Sequence, residues 1–232
     1  MRALVLAGGR GARLRPYTAI LPRSMMPVGD RPVLDVIIRQ LERQGFGGVT
    51  IATDYLAEIV EAFFRDGQDY GIPIDYCQEL APLSSDAPLL VINGNVLTDL
   101  DYAALMRRHA ATGAAATVAA ITRDVQVSLG VLHFGDERRP DRLTAYEEKP
   151  HLEFEVSMGV CAFTPDALRY LHAGERPDFQ LLLRRLLEAG EPVCAYRSDC
   201  YWLDLGRHDD YDQAVEEFES MRHRLLACDP RG

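Results

Sequence analysis

Residue types and spacings that suit phosphate or metal chemistry occur at three places in this chain. The first is the glycine- and arginine-rich run Ala7-Gly8-Gly9-Arg10-Gly11-Ala12-Arg13-Leu14-Arg15, which follows the apolar segment Ala3 to Ala7. Glycines after a first strand let backbone N–H groups crowd around phosphate oxygens, and Arg10, Arg13 and Arg15 supply the charge such a loop needs. The second is Leu89-Leu90-Val91-Ile92-Asn93-Gly94-Asn95, a buried type of strand running into two amides where open α/β sheets hold ligands and metals. The third is Tyr201-Trp202-Leu203-Asp204-Leu205-Gly206, a short strand ending on a carboxylate that, taken alone, reads as a turn residue.

Other chemistries are disfavoured. The glycine loop matches neither G-x-G-x-x-G nor the Walker pattern, against a nicotinamide dehydrogenase or a P-loop ATPase. A formal net charge of -10 argues against a dedicated nucleic-acid binder, which needs a contiguous basic surface, and leaves small phosphate ligands open. No apolar run approaches the roughly 20 residues that span a bilayer, and glycines follow too early for a signal peptide, so no membrane partner and a cytoplasmic location are expected. The five cysteines show no C-x-x-C spacing and read as buried thiols, not as disulfides or a zinc site. None of the histidines has an i, i+4 partner; His208-Asp209-Asp210 reads as a helix start, and Met25-Met26 as core.

These residues must be carried by a scaffold, and 232 residues, 47% of them apolar, suffice for one substantial core. Strand and helix signals alternate from the start: strands at Ala3 to Ala7, Val49 to Thr53, Ile72 to Cys77 and Leu89 to Ile92, with helices at Val33 to Leu41, Leu56 to Phe64 and Tyr102 to Ala111. Thr98-Asp99-Leu100-Asp101 reads as the start of the third helix, with Asp99 or Asp101 as its cap. That order predicts a parallel sheet covered on both faces. After Gly113, strands at Ala114 to Thr122, Leu129 to Phe134, Leu143 to Glu148 and Val156 to Phe163 are expected to join the same sheet. Helices at Pro165 to His172 and Phe179 to Ala189, strands at Val193 to Tyr196 and Tyr201 to Leu203, and a helix from about Asp209 to Ala227 complete the chain. The expectation is a single α/β unit over 1–232: a nucleotide-binding half at 1–113, a sugar-phosphate half at 114–208 and a C-terminal helix at 209–227. The Leu225-Leu226 end of that helix is a candidate contact with a second copy.

The run Leu6 to Leu34 resembles the N-terminal signature of the sugar-1-phosphate nucleotidylyltransferases, G-G-x-G-x-R-L-x-P-x-T followed by P-K-P and P-V-x-x-K-P. Further matches follow in order. Asn93 to Asp99 is similar to N-G-D-V-L-T-D, Glu147-Glu148-Lys149-Pro150 to E-E-K-P, Ser157-Met158-Gly159-Val160 to the segment before the G-I-Y strand, and Tyr201 to Gly206 to Y-W-x-D-I-G. The resemblance implies a Rossmann-like three-layer α/β/α sandwich with a mixed, mainly parallel sheet, the nucleotide-diphospho-sugar transferase fold. It implies a reaction joining a nucleoside triphosphate to a sugar 1-phosphate with release of pyrophosphate, and looks closest to the branch using GTP with mannose-like or heptose-like sugars.

By resemblance, Gly8, Gly9 and Gly11 carry the triphosphate, Arg13 clamps it, and Arg23 takes the place of the family's first Lys. Glu79 falls near the nucleobase; Glu148, Lys149 and Gly130 fall at the sugar and its phosphate. Asp204 matches one of two carboxylates that hold Mg2+, and Asn95 stands where the other belongs. An amide oxygen can coordinate a hard cation but brings no charge, and the Coulomb term between unit charges ~4 Å apart is about 4 kcal/mol at an effective dielectric of 20. A loss of that order corresponds to roughly a thousandfold in rate. The segment Pro82 to Pro88 also lacks the P-L-G-T-A-G-A-L stretch and helix that the family has before this strand. Two readings follow from these departures: an active transferase, or a catalytically impaired relative that binds a nucleotide or sugar nucleotide as a regulatory or partner subunit.

Overall fold

The structure, a computed structural model, describes residues 1–78, 86–135, 139–171 and 178–226. Its elements in chain order are β1 (Arg2–Leu6), β2 (Pro27–Val28), β3 (Arg31–Pro32), α1 (Val33–Arg43), β4 (Val49–Ala52), α2 (Ala57–Phe64), β5 (Ile74–Cys77), β6 (Leu89–Asn93), β7 (Val96–Thr98), α3 (Tyr102–Thr112), β8 (Ala116–Gln126), β9 (Gly130–Phe134), β10 (Leu143–Glu148), β11 (His151–Phe163), α4 (Phe179–Glu188), β12 (Val193–Arg197), β13 (Trp202–Asp204) and α5 (His208–Leu226). Seven strands form the central sheet in the order β12-β8-β11-β6-β1-β4-β5. Only β11 runs antiparallel to its neighbours, which gives the mixed, mainly parallel sheet that the element order implies.

Side-chain alternation in the strands builds the layers. Ala3 and Val5 of β1 and Leu90 and Ile92 of β6 point to the face covered by α1, α2 and α3. Leu4, Leu89 and Val91 point to the other, covered by α4. A third cluster lies outside α1, where Phe218, Leu225 and Leu226 of α5 pack on Val33 and Val36 of α1 and on Leu97, Leu203 and Leu205. Leu225 and Leu226 are therefore 0% and 6% exposed inside their own chain, not a contact for a second copy. Helix caps follow the local chemistry: Asp101 accepts from the N–H of Ala104 at 2.7 Å, and Asp178 accepts from Gln180 at 2.9 Å.

Elsewhere, too, the structure departs from the sequence reading. Thr98-Asp99 does not start a helix: Val96–Thr98 is β7, paired antiparallel with β13, and Asp99 accepts the N–H of Tyr201 at 2.8 Å. A three-residue strand is too short to show a period. Among the described residues, strands β9 and β10 pair only with each other, as a ribbon continuing the long β8–β11 pair beyond the sheet. Their side chains are largely exposed on both faces, so their alternation carried no information about a sheet partner. The stretch after Pro165 forms a 3-10 turn at Asp166–Tyr170 in place of an α-helix, and His172 lies outside the described residues. The four cysteines among the described residues are free, and Met25 and Met26 are core.

The third cluster fixes the strand that ends at Asp204. Phe218 is fully buried in it, so Phe218→Ala should lower the unfolding free energy by about 3–5 kcal/mol in urea titration. A loss below about 1 kcal/mol would mean that α5 is not an anchor for that strand.

Candidate active site

The glycine loop leaves the C-terminal end of β1, and close packing explains its composition. Gly11 has φ 58°, in the left-handed region, and a Cβ there would lie 2.8 Å from Cγ2 of Thr18. The Thr18 hydroxyl donates to the Gly11 carbonyl at 2.7 Å, and the Leu14 N–H to the same oxygen at 2.9 Å. A Cβ on Gly9 would meet Nη2 of Arg23 at 3.0 Å, and one on Gly8 would meet Asp54 at the same distance. On the outer side, the Arg10 guanidinium lies 5.7 Å from the centre of the Tyr55 ring, whose hydroxyl donates to the Ala19 carbonyl at 2.9 Å. The loop is thus clasped between the turn after β4 and the segment carrying Arg23.

Strand register brings the other two motifs to this loop. Leu6 pairs with Asn93, and Asp204 pairs with Val96, so Asn95 and Asp204 meet beside the end of β1. The Asn95 amide donates to Oδ1 of Asp204, the Gly206 N–H donates to the same oxygen at 2.9 Å, and the Leu205 N–H donates to the Asn95 carbonyl at 2.9 Å. A Cβ on Gly206 would lie 3.1 Å from Asp204 Oδ1, 3.3 Å from Arg23 Nη1 and 3.4 Å from Asn95 Nδ2. Arg23 therefore reaches both glycine segments, Gly9 with one nitrogen and Gly206 with the other. Burial pushes its pKa down most strongly; Asp204 opposes that shift and the nearby Arg13 adds to it.

Beside this centre is a cavity of about 370 Å³. Asn93, Ser157, Trp202 and Asp204 line it from the sheet side, and Gln180 and Arg184 of α4 from the other. A break in register between Ser157 and Cys161 shapes its floor. Gly159 there has φ 76°, and a Cβ would lie 2.8 Å from Nδ2 of Asn93. Gln180 and Arg184 carry no mark of this role in the sequence. Asn93 was legible as part of N-G-N, whereas the two helical residues had no signal, because their side of α4 is set by Phe179, Leu182 and Leu186 packing on the sheet.

The remaining expected residues are less gathered. Glu148, Lys149 and Gly130 lie on the exposed ribbon and do not line the cavity. There the Tyr146 hydroxyl donates to Glu148, and Lys149 has φ 47°, in the left-handed region. Glu79 and most of the Pro82–Pro88 segment lie outside the described residues.

Among the described residues no group of three His, Cys, Asp or Glu could hold a metal ion. Asp204 and Asn95 nevertheless offer oxygen ligands of the type magnesium takes. Asn95 is 3% exposed and its Oδ1 has no hydrogen-bond partner, as is also true of the buried Thr53 and Ser24 hydroxyls; Thr53 directly follows β4, and Ser24 packs against Gly94. Buried acceptors are normally satisfied, so the free Asn95 oxygen beside the Asp204 carboxylate fits a hard cation.

A family model described as nucleotidyl transferase matches residues 2–221. A UTP–glucose-1-phosphate uridylyltransferase from Synechocystis is 30% identical over 93% of this chain, which spans 62% of that protein's length. A D-glycero-alpha-D-manno-heptose 1-phosphate guanylyltransferase from Aneurinibacillus thermoaerophilus is 28% identical over 94% of this chain and 99% of its own. In fold, the crystal structure of HddC from Yersinia pseudotuberculosis superposes with a TM-score of 0.69 at 20% identity, covering 94% of this chain and 99% of that one.

With Asp204 bonded to an amide and not facing a second carboxylate, no charge repulsion draws a cation into the free protein. Millimolar Mn2+ without nucleotide should leave the melting temperature of the wild type unchanged and raise that of Asn95→Asp. Equal shifts in both would contradict this view of the pair.

Proposed function

The chain belongs to the nucleotidyl transferase family, and from that premise we propose that it joins a nucleoside triphosphate to a sugar 1-phosphate, releasing pyrophosphate. The convergence of Arg23, Asn95 and Asp204 around Gly206, with Arg23 also packed against Gly9, carries the proposal. A phosphate oxygen of the sugar 1-phosphate attacks the α-phosphorus in line. The new P–O bond forms as the bond to the bridging oxygen breaks, and pyrophosphate leaves with that oxygen.

The protein's part is to position two anions and offset their charge. The amides of Gly8, Gly9 and Gly11 take triphosphate oxygens at the end of β1. Arg13 and Arg23 place two positive charges beside them, with Arg23 held in orientation by its packing between Gly9 and Gly206. Arg23 is a fork-shaped donor that binds phosphate bidentately, which a Lys cannot do. Asp204 and Asn95 would hold magnesium, which supplies charge neutralisation on the phosphate oxygens when bound. The cavity at Trp202 takes the sugar, its indole ring offering an apolar face and Asn93, Ser157 and Gln180 offering partners for hydroxyls. Glu148, Lys149 and Gly130 on the ribbon approach the sugar phosphate when it is bound. GTP and a mannose- or heptose-like sugar 1-phosphate are the proposed pair, in line with the similarity to the heptose guanylyltransferase.

A second reading is favoured by one observation, the hydrogen bond from the Asn95 amide to Asp204. It satisfies the carboxylate without a cation, as suits a relative that binds nucleotides or nucleotide sugars as a regulatory or partner subunit. Pyrophosphate release, measured with magnesium, the common nucleoside triphosphates and a panel of sugar 1-phosphates, separates the two. Turnover with one pairing is expected, falling about a hundredfold or more in Arg13→Ala. No pyrophosphate from any pairing, at protein concentrations near those of substrate, together with nucleotide binding in calorimetry, would establish the second reading.

A further inference from the structure

The sequence marks Asp210 as part of a helix start, yet its side chain is only 2% exposed. A carboxylate is seldom buried without a purpose for its charge. It lies in the first turn of α5, where the helix dipole favours a negative group. Its two oxygens have separate partners. Oδ2 accepts the backbone N–H of Asp204 at 3.0 Å, and Oδ1 accepts from Nη2 of Arg123 at 2.5 Å.

Arg123 comes from β8, where that strand leaves the sheet core and heads into the ribbon. Its guanidinium lies 5.5 Å from the centre of the Trp202 ring, and the indole N–H donates to the Met158 carbonyl at 2.8 Å. Asp204 is thus gripped from both sides. Asn95 and Gly206 hold its carboxylate, while Asp210, charge-balanced by Arg123, holds its main chain. The same arginine fixes Trp202, which lines the cavity with Asp204, two residues away on β13.

We infer that Arg123 and Asp210 are positioning residues for Asp204 and Trp202, and that through Arg123 they set the β13 carboxylate relative to the ribbon that carries Glu148 and Lys149. Neither residue touches the reacting groups; they act through the Asp204 amide and the indole ring. The inference deepens the transferase reading and rests on it for its kinetic consequence, but the geometry of the couple can be measured without turnover. Trp202 is the only tryptophan in the chain, so fluorescence excited beyond the tyrosine absorption reports on it alone.

The experiment compares the full-length wild type with Asp210→Asn and Arg123→Lys, which keep size or charge so that the fold survives. Thermal melting, Trp202 emission, hydrogen exchange at the Asp204 amide and steady-state kinetics are recorded on each. In Asp210→Asn, kcat should fall by about a hundredfold while KM for the sugar 1-phosphate changes little, with faster exchange at Asp204 and shifted Trp202 emission. Arg123→Lys, which retains the charge but not the planar stack, should lose less of kcat and shift the emission more. Wild-type kcat in Asp210→Asn, or a loss matched by its unfolded fraction, would overturn the inference. If the wild type itself turns nothing over, the transferase reading fails separately. The couple is then decided by exchange and emission, and values unchanged from wild type in both variants overturn it.

Discussion

Everything at the centre of this molecule depends on one hydrogen bond, from the Asn95 amide to the Asp204 carboxylate. Two carboxylates at such a crossing would repel each other and need a cation between them; an amide and a carboxylate attract and need none. The pair staples the end of β6 to β13, and β13 lies where it does because it pairs with β7 and because α5 presses Leu203 and Leu205 against α1. Arg23 then packs against Gly206 next to the pair and against the phosphate-type loop at Gly9. An amide in place of a carboxylate at residue 95 leaves the pair with a single negative charge. Asp204 opposes the charge of Arg23, and Arg13 lies close enough to act against it.

Some of the buried polar atoms without partners lie at this site. Buried acceptors and hydroxyls without partners cost about 1–3 kcal/mol each, and Asn95 Oδ1 lies at the site itself, with Ser24 packed against Gly94 beside it and Thr53 next to the Asp54 that abuts Gly8. Stability is given up locally, and an oxygen-rich ligand can recover it. The apolar bulk that offsets the cost lies in the two faces of the sheet and in the cluster under α5, away from the loop.

Much of this was legible in the sequence because its signals are local. Gly8, Gly9 and Gly11 within four residues, a buried strand running into Asn-Gly-Asn, and Asp-Leu-Gly after Tyr-Trp-Leu carry their own geometry. What was not legible depends on distant partners. Asp210 looks like an ordinary first-turn acid, yet its burial depends on Arg123, 87 residues earlier, together with the Asp204 N–H. Leu225 and Leu226 looked like an exposed apolar end, yet the valines of α1 wait for them. Strands β9 and β10 alternate as sheet strands do, but no neighbour on the page of sequence could say that they pair only with each other. Likewise Gln180 and Arg184 gain their place at the cavity from the packing of the opposite side of α4.

The most direct measurement is pyrophosphate release by Asn95→Asp beside the wild type, at saturating magnesium with the same nucleoside triphosphate and sugar 1-phosphate. A second carboxylate beside Asp204 adds a charge worth roughly 4 kcal/mol before solvent and reorganisation reduce it, so a gain of at least tenfold in kcat is expected. A rate equal to or below that of the wild type, in a variant that folds and binds nucleotide, would contradict the claim that the Asn95–Asp204 pair governs this site.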